Sequence, residues 1–239
     1  MAASMIAGPA ADAGVAAHEA LGVVLQVRDR ELRVLLWQRA RSPDLGAWAL
    51  PGGRLAGDET LGASLARHLA AKVDVTELAH LEQLETRSDP HRMRSGRVVA
   101  TAYLGLIPSH VDPAIPPDTT WHPVASLPPM AFDHGSIVES GVARLRAKLS
   151  YTNIGFALAP PTFVISQLRE IYQAALGHDV SATNLQRVLL RRDVLEPTGC
   201  TDVRHPAGGR PATVYRFRTA RLEVTDQFAV LRPPGRRDR

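Results

Sequence analysis

Cysteine is nearly absent from this chain of 239 residues: Cys200 is the single one. One thiol closes no intrachain disulfide, which excludes a disulfide-stapled scaffold and points to a reducing cytoplasm. Long hydrophobic runs are missing too. No segment approaches the roughly 20 apolar residues of a membrane-spanning helix, so no membrane partner is expected. The opening MAASMIAGPAADAGVAAHEA has neither a basic start nor a sustained apolar stretch. That argues against a signal peptide, and residues 1–17 are read as a disordered leader. Lysine is absent from residues 151–239, where all 13 basic side chains are Arg against 8 acids; residues 1–150 hold 15 basic and 16 acidic groups. The net charge of +4 is therefore carried by the C-terminal part. Guanidinium groups there suit planar contacts with phosphate or guanine, although a genome rich in Arg codons gives the same composition.

What is present has the balance of a globular protein, 45% hydrophobic and 22% charged, with length enough for two domains. Residues 20–38 read as two β-rich runs joined in a hairpin at Arg28-Asp29-Arg30. After RSPDLGAW and ALPGG, a helix is predicted from Leu61 to Val73. RVVATAYLGLIP (97–108) is a third strand-like run. The proline-dense segment 108–129 reads as a loop with an extended piece near Trp121. A further helix is predicted from Gly135 to Leu149, where Ile137, Val138, Val142 and Leu145 keep helical spacing. Strands mixed with two helices make an α/β or α+β unit.

The pattern changes over 150–162, where SYTNIGFALAPPTF has a proline pair and no helical period. The boundary between domains 18–149 and 150–239 is placed there. Ser166 then caps a helix with Leu168, Ile171, Tyr172, Ala175 and Leu176 on one face, stopped by Gly177, and Ser181 caps a second helix running to Arg192. Two short helices joined by a tight turn are the sequence form of a helix-turn-helix. In the second, Leu185, Val188 and Leu189 form the buried stripe, while Asn184, Arg187 and Arg191 share an outward face. VLEPTG and GRPATVYRFR read as two strands with a basic, Gly-rich connection, a wing with Arg204, Gly208, Gly209 and Arg210 at or near its tip. A helix carrying Asn and Arg beside a basic hairpin suits groove reading of double-stranded DNA, although winged folds also serve as dimerisation or docking modules. Asn184, Arg187 and Arg191 are the base-edge or groove candidates, and Thr183, Arg192 and Arg210 the phosphate contacts.

GGRLAGDETLGASLARHLAAKVDV (52–75) raises the chemical question. Gly53, five residues, Glu59, seven residues, Arg67, then apolar Leu69 and Val75 resemble the Nudix box, a loop-helix-loop signature. In that family Arg is followed by Glu, an apolar residue, any residue, two Glu, any residue, Gly and an apolar residue. Here the three Glu positions hold His68, Ala71 and Lys72, and the Gly position holds Asp74. Hydrolysing a pyrophosphate needs Mg²⁺, held by carboxylates, to neutralise charge and activate water. Residues 68, 71 and 72 share the helical face where that metal would sit, and none is a carboxylate. Glu77, Glu82, Glu85 and Asp89 downstream are the acids that an active enzyme would have to recruit instead.

A degenerate Nudix box followed by a winged helix resembles the NrtR family, Nudix-related transcriptional regulators of NAD metabolism. The resemblance runs from Ala20 to Phe217 and is carried also by WALPGG (48–53), GRVVATAY (96–103), LPPMAFDH (127–134), LEPTG and GRPATVYRF. It implies an α+β protein: a Nudix-like α/β/α sandwich with a mixed sheet, then a C-terminal winged helix-turn-helix domain. It implies a homodimeric, cytoplasmic, nucleoid-associated repressor that binds operators near genes of NAD synthesis or salvage. The implied effector is ADP-ribose or a related nucleotide, and no cofactor or metal is required. Arg39, Trp48, Gly52, Gly53 and Arg54 are the ligand-binding candidates, supported by Glu59, Arg67 and Lys72; in the family the Glu59 and Arg67 positions brace the loop. Gly52 and Gly53 offer backbone N–H groups to a phosphate, and Trp48 is either a base-stacking ring or a core aromatic. Arg92, Arg94 and Arg97 face either phosphate or water. For His134 a structural hydrogen bond is expected, and no catalytic residue is assigned. Two other readings stay open: an active Mg²⁺-dependent ADP-ribose pyrophosphatase with an accessory domain, and a nucleotide sensor that docks a protein partner.

Overall fold

Alternation along one strand sets the layers of the N-terminal half. In the computed structural model, which describes residues 16–93, 96–202 and 211–226, β1 (Ala17–Arg28) sends Ala20 and Val24 to one apolar cluster and Leu21, Val23, Leu25 and Val27 to another. That is the period of two expected of a strand covered on both faces. The chain turns back into β2 (Glu31–Gln38) through Asp29 and Arg30, both at positive φ (51° and 62°), as a two-residue type I′ hairpin requires. β3 (Trp48–Ala49) pairs with β2 and β4 (Gly52–Arg54) with β1. β5 (His80–Arg87) pairs with β6 (Val98–Leu106), β6 runs parallel to β1, and β7 (Thr119–Pro123) joins β2. Among the described residues this makes a mixed seven-stranded sheet with the main order β3-β2-β1-β6-β5.

Two helices cover the faces. α1 (Leu61–Val73) lays Leu65, Leu69 and Val73 on one, and α2 (His134–Tyr151) lays Ile137, Val138, Val142, Leu145 and Leu149 on the other. The sandwich is the one expected, and α1 has the bounds predicted for it. The Thr60 hydroxyl accepts from the Ala63 N–H at 3.2 Å, and Asp74 ends the helix in the left-handed region at φ 51°. β5 has no counterpart in the sequence reading. Only Leu84 is fully buried in it, and Glu82 is satisfied by residues far along the chain, Lys148 at 2.9 Å and Arg144 at 3.5 Å on α2.

The segment 150–162 is a piece of core. A short 3₁₀ turn, Ile154–Ala157, buries Ile154, Ala157, Leu158 and Ala159 in the same apolar cluster as α2. β8 (Phe163–Val164) leads into α3 (Ile165–Leu176), whose buried face is Leu168, Ile171, Tyr172 and Ala175. Ser166 does not cap α3. The helix starts two residues earlier than that cap requires, with Val164 at the cap position, and the Gln167 side chain accepts from the Val164 N–H at 3.1 Å. Gly177 stops α3 at φ 77°, and Ser181 caps α4 (Ala182–Arg191) by accepting from the Asn184 N–H at 3.3 Å. β9 (Leu195–Asp202) and β10 (Ala212–Phe217) form the wing strands, ordered β8-β10-β9. Their connection lies outside the described residues, and with it Arg204, Gly208, Gly209 and Arg210. Of the leader 1–17, residues 1–15 are likewise outside, whereas Ala17 already opens β1. After β10 the chain returns to the end of α2: the Glu223 N–H donates to Asn153 Oδ1 at 2.7 Å, and the Thr225 N–H donates to the Tyr151 carbonyl at 2.9 Å. Among the described residues no helix is long and apolar enough to cross a membrane.

Candidate functional site

The box loop is held as its sequence implies. Arg67, nearly two turns inside α1, reaches back to Glu59: its Nε donates to Oε2 at 2.9 Å and its Nη2 donates to Oε1. The Ala56 N–H also donates to Glu59 Oε1 at 2.7 Å. These hydrogen bonds, Arg67 foremost, hold the Glu59 carboxyl down at about 2 against an ordinary 4.5. Glu59 is thus consumed in bracing. The Arg54 carbonyl is a second anchor, accepting from Arg67 Nη2 at 3.3 Å and lying 3.0 Å from His68 Nε2, while the Arg54 side chain is exposed.

The two glycines of the loop play different parts. Gly52 has φ 154°, and a Cβ there would stand 2.2 Å from the Ala20 carbonyl oxygen, so no other residue fits without displacing β1. The Gly22 N–H donates to Pro51 and the Leu55 N–H to His18, so the antiparallel alternation makes Gly53 and Ala20 the bonded pair. That uses the Gly53 N–H inside the sheet and turns the Gly52 amide outward, which corrects the expectation that both glycines offer donors. The outward Gly52 carbonyl accepts from Lys72 Nζ at 2.6 Å. The ammonium also lies 4.3 Å from the centroid of the Trp37 ring. Burial first, then the nearby Arg39, lowers the Lys72 pKa from its ordinary 10.5.

These contacts test the metal that the Nudix box implies. Of the three box positions, His68 is engaged with the Arg54 carbonyl, Ala71 has no donor, and Lys72 is a cation. Among the described residues no group of three or more His, Cys, Asp or Glu is placed to hold a metal ion. The residues do not fit Mg²⁺ at this position. Of the downstream acids, Glu82 is bonded to α2 and Glu85 to Arg87 at 2.7 Å.

Other candidates are distributed unevenly. Arg39 donates through Nε to the Pro43 carbonyl at 3.0 Å, with its guanidinium 4.5 Å from the centroid of Phe132. Trp48 packs edge-on to His122 at 4.3 Å and joins the apolar cluster on the α2 side, whereas Lys72 and Trp37 lie on the α1 side. Arg92 turns its side chain inward: the side chain is 1% exposed, donating to Glu19 at 2.7 Å and bidentately to Asp133 at 2.8 and 3.2 Å. Arg97 is exposed, and Arg94 lies outside the described residues. His134 makes the structural bond expected, accepting at Nδ1 from the Leu50 N–H at 3.0 Å. Trp37 and Phe132, the rings against Lys72 and Arg39, are not among the sequence candidates. The alternation Leu35, Trp37 along β2 marks the face that α1 covers and was the available signal for Trp37.

On the winged side, α4 buries Leu185 and Leu189 and exposes Thr183, Asn184, Arg187 and Arg191. Arg187 Nη2 donates to Asn184 Oδ1 at 2.7 Å, so the two polar groups present one joined surface. Val188 is only half-buried. Arg192 departs from its expected phosphate role: it donates to the Ser150 carbonyl at 2.8 Å and to Asp226 at 2.5 Å, which links the end of α4 to the end of α2.

Residues 17–140 match the Nudix domain family, and residues 155–217 match the family described as the NrtR DNA-binding winged helix domain. The chain is 31% identical over 201 residues to the ADPR-responsive transcriptional repressor NtrR of Acinetobacter baylyi, covering 81% of this chain and 79% of that one. This chain belongs to the NrtR family. Its fold superposes on crystalline Shewanella oneidensis NrtR bound to a 27mer DNA with a TM-score of 0.70, at 31% identity, covering 83% of this chain and 92% of that chain. The Nudix domain of the same NrtR, complexed with ADP-ribose, matches at 33% identity and a TM-score of 0.50, over 55% of this chain and 89% of that chain.

Proposed function

We propose that this NrtR-family chain is a DNA-binding transcriptional repressor of NAD synthesis or salvage genes, which senses ADP-ribose or a related nucleotide through a Nudix fold that no longer hydrolyses it. The observation that carries this reading is the pairing of two features in one chain. One is a Nudix box whose brace is intact and whose metal face holds His68, Ala71 and Lys72; the other is a winged helix whose α4 exposes Asn184, Arg187 and Arg191. Relatives named for ADP-ribose response and crystallised with DNA support it.

In this reading residues 18–149 hold the effector and residues 150–239 hold the operator, with two copies reading a pseudo-palindromic site. Arg39, Gly52, Lys72 and the Glu59–Arg67 brace form the effector side. Thr183, Asn184, Arg187 and Arg191 form the DNA side, together with Arg210. ADP-ribose acts by favouring whichever arrangement of the two winged domains binds DNA less well. Fluorescence anisotropy with promoter fragments of NAD-synthesis genes, titrated with ADP-ribose while Mg²⁺ aliquots are assayed for AMP, tests it. Tight, salt-sensitive binding that ADP-ribose weakens, without AMP, is the expected result. Steady AMP release without specific DNA binding would instead identify a pyrophosphatase.

A further inference from the structure

Where the last carboxylate of a Nudix box would stand, the chain places an ammonium in a finished site. Lys72 Nζ donates to the Gly52 carbonyl at 2.6 Å and lies over Trp37. The carbonyl has little freedom to turn away, because Gly52 is pressed against β1. Arg39, Arg41 and Arg67 are near enough to act on Lys72 electrostatically, and Glu19, the acid that opposes them, is bonded to Arg92 at 2.7 Å. The charge that this carbonyl meets directly is therefore the Lys72 ammonium. A divalent cation approaching the same oxygen would meet an ammonium at hydrogen-bond range and no cluster of acids among the described residues.

We propose that Lys72 is the protein's own replacement for the metal, contacting the diphosphate of the effector directly, so that effector binding is independent of divalent cations. This rests on the reading of the chain as an ADP-ribose sensor. An ammonium has three donors; one is spent on Gly52, leaving others for phosphate oxygens, where charge-assisted bonds are strong. The replacement separates two things that a metal does together. It neutralises phosphate charge, but it carries no water that could be activated for attack. Binding is kept while hydrolysis is lost.

Calorimetric titration of the full chain with ADP-ribose, once in EDTA and once in excess Mg²⁺, tests the proposal alongside Lys72→Gln and Lys72→Arg. Gln removes the charge and keeps an N–H donor, although its amide ends one atom short of the ammonium; circular dichroism separates loss of binding from failure to fold. The expected result is equal affinity in both media, a roughly 10- to 100-fold loss for Lys72→Gln that Mg²⁺ does not rescue, and near-native binding by Lys72→Arg. Wild-type binding that needs Mg²⁺, or binding unchanged in Lys72→Gln, overturns the proposal and leaves the ADP-ribose sensor intact. Absence of binding in both media overturns the two together.

Discussion

Among the titrating residues of the N-terminal half, Glu59 and His134 are displaced far from their ordinary values, each by its surroundings. Glu59 is held at about 2 chiefly by Arg67. A carboxyl with a depressed folded pKa contributes stability that is complete above its unfolded value of 4.5 and is lost as pH falls towards 2. Thermal melts should therefore show a gap between wild type and Glu59→Gln at neutral pH that closes as the solution is acidified below 4.5. His134 is 3% exposed, and desolvation pushes its pKa down from 6.5 to about 3. Its Nδ1 accepts from Leu50, so the neutral ring carries its proton on Nε2. Between pH 6.5 and 3 the unfolded chain takes up a proton that the folded chain refuses, so stability falls as pH drops, with a limiting slope of about 1.4 kcal/mol per pH unit. His134→Gln, whose amide oxygen can accept from Leu50, should flatten that part of the stability curve in denaturant titrations. The structural role of His134 was legible because it has no partners at metal-ligand spacing. The burial of Arg92 was not, since Glu19 and Asp133 lie 73 and 41 residues away.

At the level of the element, helices announced themselves better than strands. α1 was visible end to end because its apolar stripe is local, and the structure adds the caps, Thr60 before it and Asp74 after it. Leu69→Ala, which empties the middle of that stripe, should cost about 2–5 kcal/mol in chemical denaturation. β5 was invisible because its polar residues are satisfied by Lys148 and Arg144, contacts that exist only after α2 has docked. α4 shows the converse, a face legible in the sequence whose use depends on a partner. Arg187→Ala and Arg191→Ala should each weaken operator binding. A phosphate contact lowers the slope of log affinity against log salt by about 1, whereas a base contact costs about 1–3 kcal/mol at one base pair only. Filter binding at several salt concentrations separates the two, and unchanged affinity in the double variant would refute the assignment of α4 as the reading helix.

Across the whole molecule, the halves are joined by shared core and by a few polar clasps. Apolar residues of α2, the 3₁₀ turn and α3 belong to one cluster, Arg146 of α2 donates to the Ala175 carbonyl of α3 at 3.2 Å, and Arg192 ties α4 to the end of α2. A displacement of α2 thus has packed matter through which to reach α3. Arg192→Ala should lower the melting temperature and, in paired operator titrations, reduce the ratio of affinities measured without and with ADP-ribose. The sequence by itself determined the order of the parts, the existence of the helices and the Ser181 cap of α4, the absence of carboxylates from the box and the outward Arg face of α4, because each rests on residues within a few turns of one another. Tertiary structure alone decided that Arg192 and Arg92 are clasps, that segment 150–162 is core, and that Lys72 settles on the Gly52 carbonyl over Trp37. Long side chains of one composition can meet solvent, phosphate or a distant carbonyl, and only the packed sheet and helices select which.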